Sequence, residues 1–195
     1  GLEVFLRMAK GAISYEIIKY TVILVLGLGL IIKSSSQKVS ISYIFYLFLL
    51  LIGILFTDVP DGESIRKAIV FNLSGPVVLF MSAFYFYKRR ISYPKLLEGL
   101  TFVLLPLIAM ITYLYFRTPD LKEVVFNSAS NYVASGGFGP NQVSTVIGLG
   151  MFILMVFLFL SKKADLNFYI NILLLIYFTY RGLLTFSRGG VFTGL

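Results

Sequence analysis

Apolar residues in this chain come in long blocks, not in the strict alternation of a sheet. Six blocks, at 17–32, 41–56, 68–87, 96–116, 143–160 and 168–186, each approach the ~20 residues a helix needs to cross a bilayer. They predict six membrane-spanning helices, with a seventh beginning at Val191. The first two blocks are short, and so extend into their flanks or stand nearly upright. Ahead of them Glu3, Arg7, Lys10 and Ser14 recur at helical spacing, opposite Leu2, Phe5, Leu6, Ala9 and Ile13. That pattern predicts an amphipathic helix over 1–15, either lying at the membrane interface or simply connecting spans. The expected fold is therefore all-α. It is a single polytopic transmembrane domain over 1–195, about six spans plus the start of another, with no internal repeat.

Composition strengthens this reading. Of 195 residues 58% are hydrophobic and 13% charged, against about 25% charged in soluble domains. With a mean hydropathy of +0.89, the chain lacks the polar residues to coat a water-soluble body. It has no cysteine and no histidine, which removes disulfides, thiolate chemistry, the usual base near neutral pH and the commonest metal ligand. Its nine carboxylates are scattered, without metal-ligand spacing. No Walker loop, dinucleotide fingerprint or catalytic dyad is present. The net charge of +8 reads as a topology signal and not as a nucleic-acid footprint. Gly1 opens the chain without the features of a signal peptide, and Leu195 closes it inside an apolar run. An internal or truncated piece of a longer protein is expected.

Charge then sets the orientation. Lys88-Arg89-Arg90-Ile91-Ser92-Tyr93-Pro94-Lys95 holds four cations and no acid. Lys33 with Lys38, two spans earlier, and Lys162 with Lys163, two spans later, repeat the bias. These connectors face the cytoplasm by the positive-inside rule. The alternate connectors carry Asp58, Asp61, Glu63, Asp120 and Glu123 and face outward. The loop at 117–141 is external on this reading, and so is Ser187-Arg188-Gly189-Gly190 at the end of the sixth block.

Those two outer stretches hold the candidate chemistry. In Gly136-Gly137-Phe138-Gly139-Pro140-Asn141, glycines permit unusual backbone angles and Pro140 pre-sets a helix start. Asn141, Ser144 or Thr145, and Gly148 follow as a small polar stripe. The stretch is either a tight loop leading into a close helix seam, or a helix N-terminus offering N–H groups to an anion. In the sixth block Arg181 and Arg188 fall seven residues apart, on nearly one face if the helix is unbroken. Arg188 would lie about 30 Å from the cytoplasmic end, at the far edge of the hydrocarbon, with Arg181 two turns deeper. A buried arginine faces a partner or a wet cavity, or else snorkels to the headgroups. Arg188 is either a helix anchor or, with Gly189 and Gly190 leaving room and Ser187 donating, a fork for phosphate oxygens. Arg66 and Lys67 are topology flanks or further anion holders. Pro76 and Pro106 are expected to kink their spans.

Gly137-Phe138-Gly139-Pro140-Asn141 opening one span, and Leu184-Thr185-Phe186-Ser187-Arg188-Gly189-Gly190 closing the next, resemble motifs of the O-antigen ligase and polymerase superfamily. The resemblance covers roughly the C-terminal third; before that it rests on topology. It implies a multi-pass enzyme of the bacterial inner membrane with a periplasmic active face, using no metal, cofactor or nucleotide sugar. A glycan would pass from undecaprenyl diphosphate to lipid A–core, a growing polysaccharide or a protein hydroxyl, with membrane lipids but no nucleic acid as partners. Arg188, with Arg181 behind it, would grip the donor diphosphate; Asn141, Gly139, Ser187 and Gly189 would shape the site. Ligases of this kind place a further arginine and a histidine, the acceptor-activating base, on a later external loop. This chain has no histidine, so no catalytic base is assigned within it, and ligase and polymerase are not separated. The competing reading is a transporter or flippase of polysaccharide precursors with both arginines along its path, although transporters usually carry internal repeats. A membrane protein without a substrate is the third.

Overall fold

The computed structural model describes residues 1–9, 16–32, 41–56, 64–117 and 132–185. The elements among them are helices: α1 (Leu2–Ala9), α2 (Glu16–Ile32), α3 (Ile41–Leu55), α4 (Ile65–Phe86), α5 (Tyr93–Arg117), α6 (Pro140–Leu160) and α7 (Leu166–Leu184). Each of the six apolar blocks thus falls on a helix over its described residues. Four stretches, Ala68–Phe86, Tyr93–Arg117, Pro140–Leu160 and Leu166–Leu184, are long and apolar enough to cross a membrane, while Ile17–Ile32 and Ile41–Ile54 are shorter. The expected start of a further span at Val191 lies outside the described residues.

Local chemistry moves the helix ends beyond the apolar blocks. Asp165 accepts a hydrogen bond from the Phe168 N–H at 2.9 Å, so α7 begins at Leu166 by ordinary N-capping. Pro94 fits the first turn of α5, where its missing N–H costs nothing. Pro76 and Pro106 sit inside α4 and α5, which continue through both.

The chain forms two compact units, Gly1–Ser14 with Ser92–Leu195, and Tyr15–Ile91. In the first, inward residues recur at helical spacing. Leu107, Met110, Ile111 and Leu114 come from α5, and Val143, Ile147, Met151 and Leu154 from α6; all eight are buried. α7 adds Phe178, whose ring lies where a Cβ on Gly150 would be. Gly150 is therefore the notch that lets α6 and α7 close. The opposite side of α7, with Leu173 at 66% and Ile176 at 61% exposure, is the apolar surface expected against lipid.

The expected N-terminal amphipathic helix appears as α1, and residues 10–15 lie outside the description. Gly1 lies against Leu107, while the Met8 carbonyl accepts from the Tyr113 hydroxyl at 3.2 Å. α1 therefore runs beside α5 in the same direction. Phe5 meets Tyr113 edge to face, with centroids 5.7 Å apart, and Glu3 pairs with Arg7 at 2.7 Å. Of the apolar face that a surface-lying helix would press into lipid, Phe5 packs against protein here while Leu2 stays exposed.

In the second unit α2 and α4 are parallel neighbours. Lys19 Nζ donates to Ser74 Oγ at 3.1 Å, Gly27 lies against Met81 and Gly29 against Tyr85. The offset stays near the 55 residues that separate Lys19 from Ser74, which only parallel helices allow. α3 returns between them in sequence. A cavity of about 280 Å³ between α3 and α4 is lined by apolar residues such as Leu50, Ile54 and Leu73, and offers nothing to hold a phosphate.

Candidate functional site

The glycine-rich stretch before α6 has a conformational logic of its own. Residues 132–135 make a single helical turn. The Gly137 N–H donates to the Tyr132 carbonyl at 3.0 Å and the Gly136 N–H to the Val133 carbonyl at 3.1 Å. That is the Schellman pattern, which needs a left-handed residue at its close. Gly136 supplies it at φ 69°, and Gly137 follows at φ 73°. Space matters as well, because a Cβ on Gly136 would sit 3.0 Å from both Leu114 and Met8. Phe138 then turns into the core, and Gly139-Pro140 opens α6 with Pro140 in its first turn. The Gly139 carbonyl accepts from the Gln142 and Val143 N–H groups at 3.0 and 3.1 Å. No side chain caps this helix start.

At the same end of the α6–α7 hairpin, α7 turns Phe178, Arg181, Gly182 and Thr185 inward, a spacing of one helix face. Arg181 is only 6% exposed. Of the two options open in the sequence, snorkelling outward and facing the protein interior, the structure takes the second. A buried guanidinium at this depth is costly and is characteristically found where polar groups or ligands compensate it.

Register fixes what stands beside Arg181. Because Phe178 fills the Gly150 notch and the two helices are antiparallel, Arg181 is level with Ile147, and Thr185 with Val143 and Ser144. Ser144 and Thr185 are both fully buried. Their hydroxyls donate to carbonyls of their own helices, Ser144 to Asn141 at 3.1 Å and Thr185 to Gly182 at 2.7 Å. Arg181 thus stands about 10 Å below the start of α6, with two small buried hydroxyls at the levels between.

Among the anticipated residues, Arg181 lies on the inward face of α7, and Asn141 and Gly139 at the mouth of α6. Asn141 is exposed, as is Thr145, while Ser144 and Gly148 are buried, so the stripe resolves through Ser144. Ser187, Arg188, Gly189 and Gly190 lie outside the described residues, as does most of the loop at 117–141. Regular helix is described up to Leu184, with Thr185 closing it through a bond to the Gly182 carbonyl. Arg66 and Lys67 occupy the first turn of α4, in the other unit. Among the described residues, no three carboxylates cluster as a metal site would require.

Near this site, sequence reasoning did not single out the buried polar residues Ser135 and Thr185. Thr185 had a signal: it follows Arg181 by four residues and Phe178 by seven, one inward stripe. Ser135 had none, since its burial depends on the left-handed turn after it.

No family model, curated protein or solved structure matches the chain. The site therefore stands on its own chemistry.

Proposed function

We propose that this chain carries the donor-binding part of a lipid-linked glycan transferase resembling the O-antigen ligases and polymerases. It would cross the bacterial inner membrane six times with a seventh span following, and receive its substrate at the periplasmic face. The donor is a glycan on undecaprenyl diphosphate; the acceptor is lipid A–core or a growing polysaccharide. In the transfer the acceptor hydroxyl oxygen bonds to the anomeric carbon, the bond from that carbon to the diphosphate oxygen breaks with its electron pair leaving on the diphosphate, and the hydroxyl proton passes to solvent, so negative charge grows on the leaving phosphate. Cationic donors held in place for that charge lower the barrier. Arg188 grips the diphosphate at headgroup depth and Arg181 supplies a second positive charge beneath it. Asn141, Gly139, Ser187 and Gly189 shape the mouth.

The observation that carries this reading is the burial of Arg181 on the inward face of α7. An arginine that merely anchored the helix would face lipid or the headgroups. Inside the unit, level with the first turns of α6, it is a fixed positive potential below a helix N-terminus, a combination that favours an anion.

In cells lacking the native protein, Arg188→Ala and Arg181→Met are expected to abolish surface glycan while membrane expression persists. Arg181→Met keeps the length and the apolar stem and removes the charge. Normal glycan in both variants overturns the proposal. Loss of the protein itself in Arg181→Met makes that arginine a packing element.

A further inference from the structure

At the end of α4 three consecutive cations, Lys88, Arg89 and Arg90, follow an aromatic run, Phe84-Tyr85-Phe86-Tyr87. Position alone would make them a topology signal. Their geometry goes further. The Arg89 guanidinium carbon lies 3.9 Å from the centroid of the Tyr85 ring, in stacking contact. Tyr85 is itself held: Phe86 meets it edge to face with centroids 5.0 Å apart, and a Cβ on Gly29 of α2 would be 2.7 Å from its ring. A glycine thus makes room for the tyrosine, and the tyrosine presents a flat face to the arginine. Lys88 Nζ stands 5.4 Å from the Tyr87 ring centroid, and Lys88 takes the left-handed position after the helix end, φ 54°, which usually falls to glycine. Lys88 and Arg90 are exposed and Arg89 half-buried.

A guanidinium stacked on a ring keeps its N–H edges for a ligand and loses little freedom on binding one. Its planar fork matches two oxygens of one phosphate. This group closes a helix long and apolar enough to cross a membrane, and tyrosines belong to the interface layer where headgroups lie. Two exposed cations beside the fork add attraction for an anionic surface.

We infer that Tyr85, Arg89, Lys88 and Arg90 form a site for the phosphate headgroup of an anionic phospholipid. It is separate from the glycan-donor site and does not depend on that reading. Arg89 on Tyr85 is the specific element, and Lys88 and Arg90 supply general attraction.

The test is native mass spectrometry of the full chain in micelles holding equal phosphatidylglycerol and phosphatidylcholine, reading the ratio of bound lipids. Lys88→Gln or Arg90→Gln is expected to lower the preference for phosphatidylglycerol about fivefold, the weight of one cation near a surface. Arg89→Lys, which keeps the charge and loses the stacked fork, is expected to lower it roughly tenfold, as is Tyr85→Leu. If Arg89→Lys retains the native preference, the cations act by charge alone and the inference fails. If millimolar inorganic phosphate displaces the lipid, the site serves a soluble anion and the inference fails equally.

Discussion

Gly150 shows how much of this fold rests on single positions. The Phe178 ring occupies the space a Cβ there would need, and both residues lie on the α6–α7 seam that sets the level of Arg181. Apolar chains gain little from leaving lipid, so membrane helices depend on this kind of close fit. Gly150→Ala is expected to destabilise the protein by about 1–3 kcal/mol, the range for an overpacked core. A denaturant titration of purified wild type and variant checks it; an unchanged midpoint would mean that the seam shifts without cost. The sequence contains this glycine plainly, yet gives no means of choosing it over Gly148, two residues earlier. Which glycine faces a large ring depends on the rotation of the partner helix. Arg181 was easier. An arginine inside an apolar block either faces a partner or wet cavity or snorkels to the headgroups, and only that choice remained open.

Among the elements, α1 is the least self-sufficient. Eight residues are too few for a helix to persist alone in water, and its last carbonyls have no partner within it. Tyr113 supplies one from α5 by donating to the Met8 carbonyl. Tyr113→Phe removes that bond and keeps the ring against Phe5, so a loss of about 1 kcal/mol is expected. Hydrogen exchange over residues 2–9 should quicken about fivefold with the rest of the unit unchanged; protection equal to wild type would show that ring packing alone holds α1. The helices themselves were legible, because a run of apolar residues near spanning length has few other uses. Their ends were legible where cap chemistry was read, as at Pro140, and not at Asp165, whose capping starts α7 two residues before the apolar block. The helical turn before Gly136 was not, since its residues, Tyr132-Val133-Ala134-Ser135, carry no periodicity to read.

For the whole molecule, orientation is the quantity that charge predicts and packing leaves unstated. The chain lacks cysteine, so single cysteines make clean reporters. Ser130→Cys is expected to label from outside and Ala164→Cys only after the membrane is opened; the reverse pattern would turn the Arg181 end of α7 inward and end the glycan-transfer proposal. The parallel pairing of α2 with α4 also has a consequence for biosynthesis. Ser74 is made 55 residues after Lys19, with α3 made in between. At the usual rate of roughly 5–20 residues per second, the nascent chain waits about 3–11 s before α4 can reach α2. For that interval the glycine face of α2 and its lysine are present in the membrane without the helix that will cover them. Slowing translation between Ile32 and Ile65 would lengthen that interval.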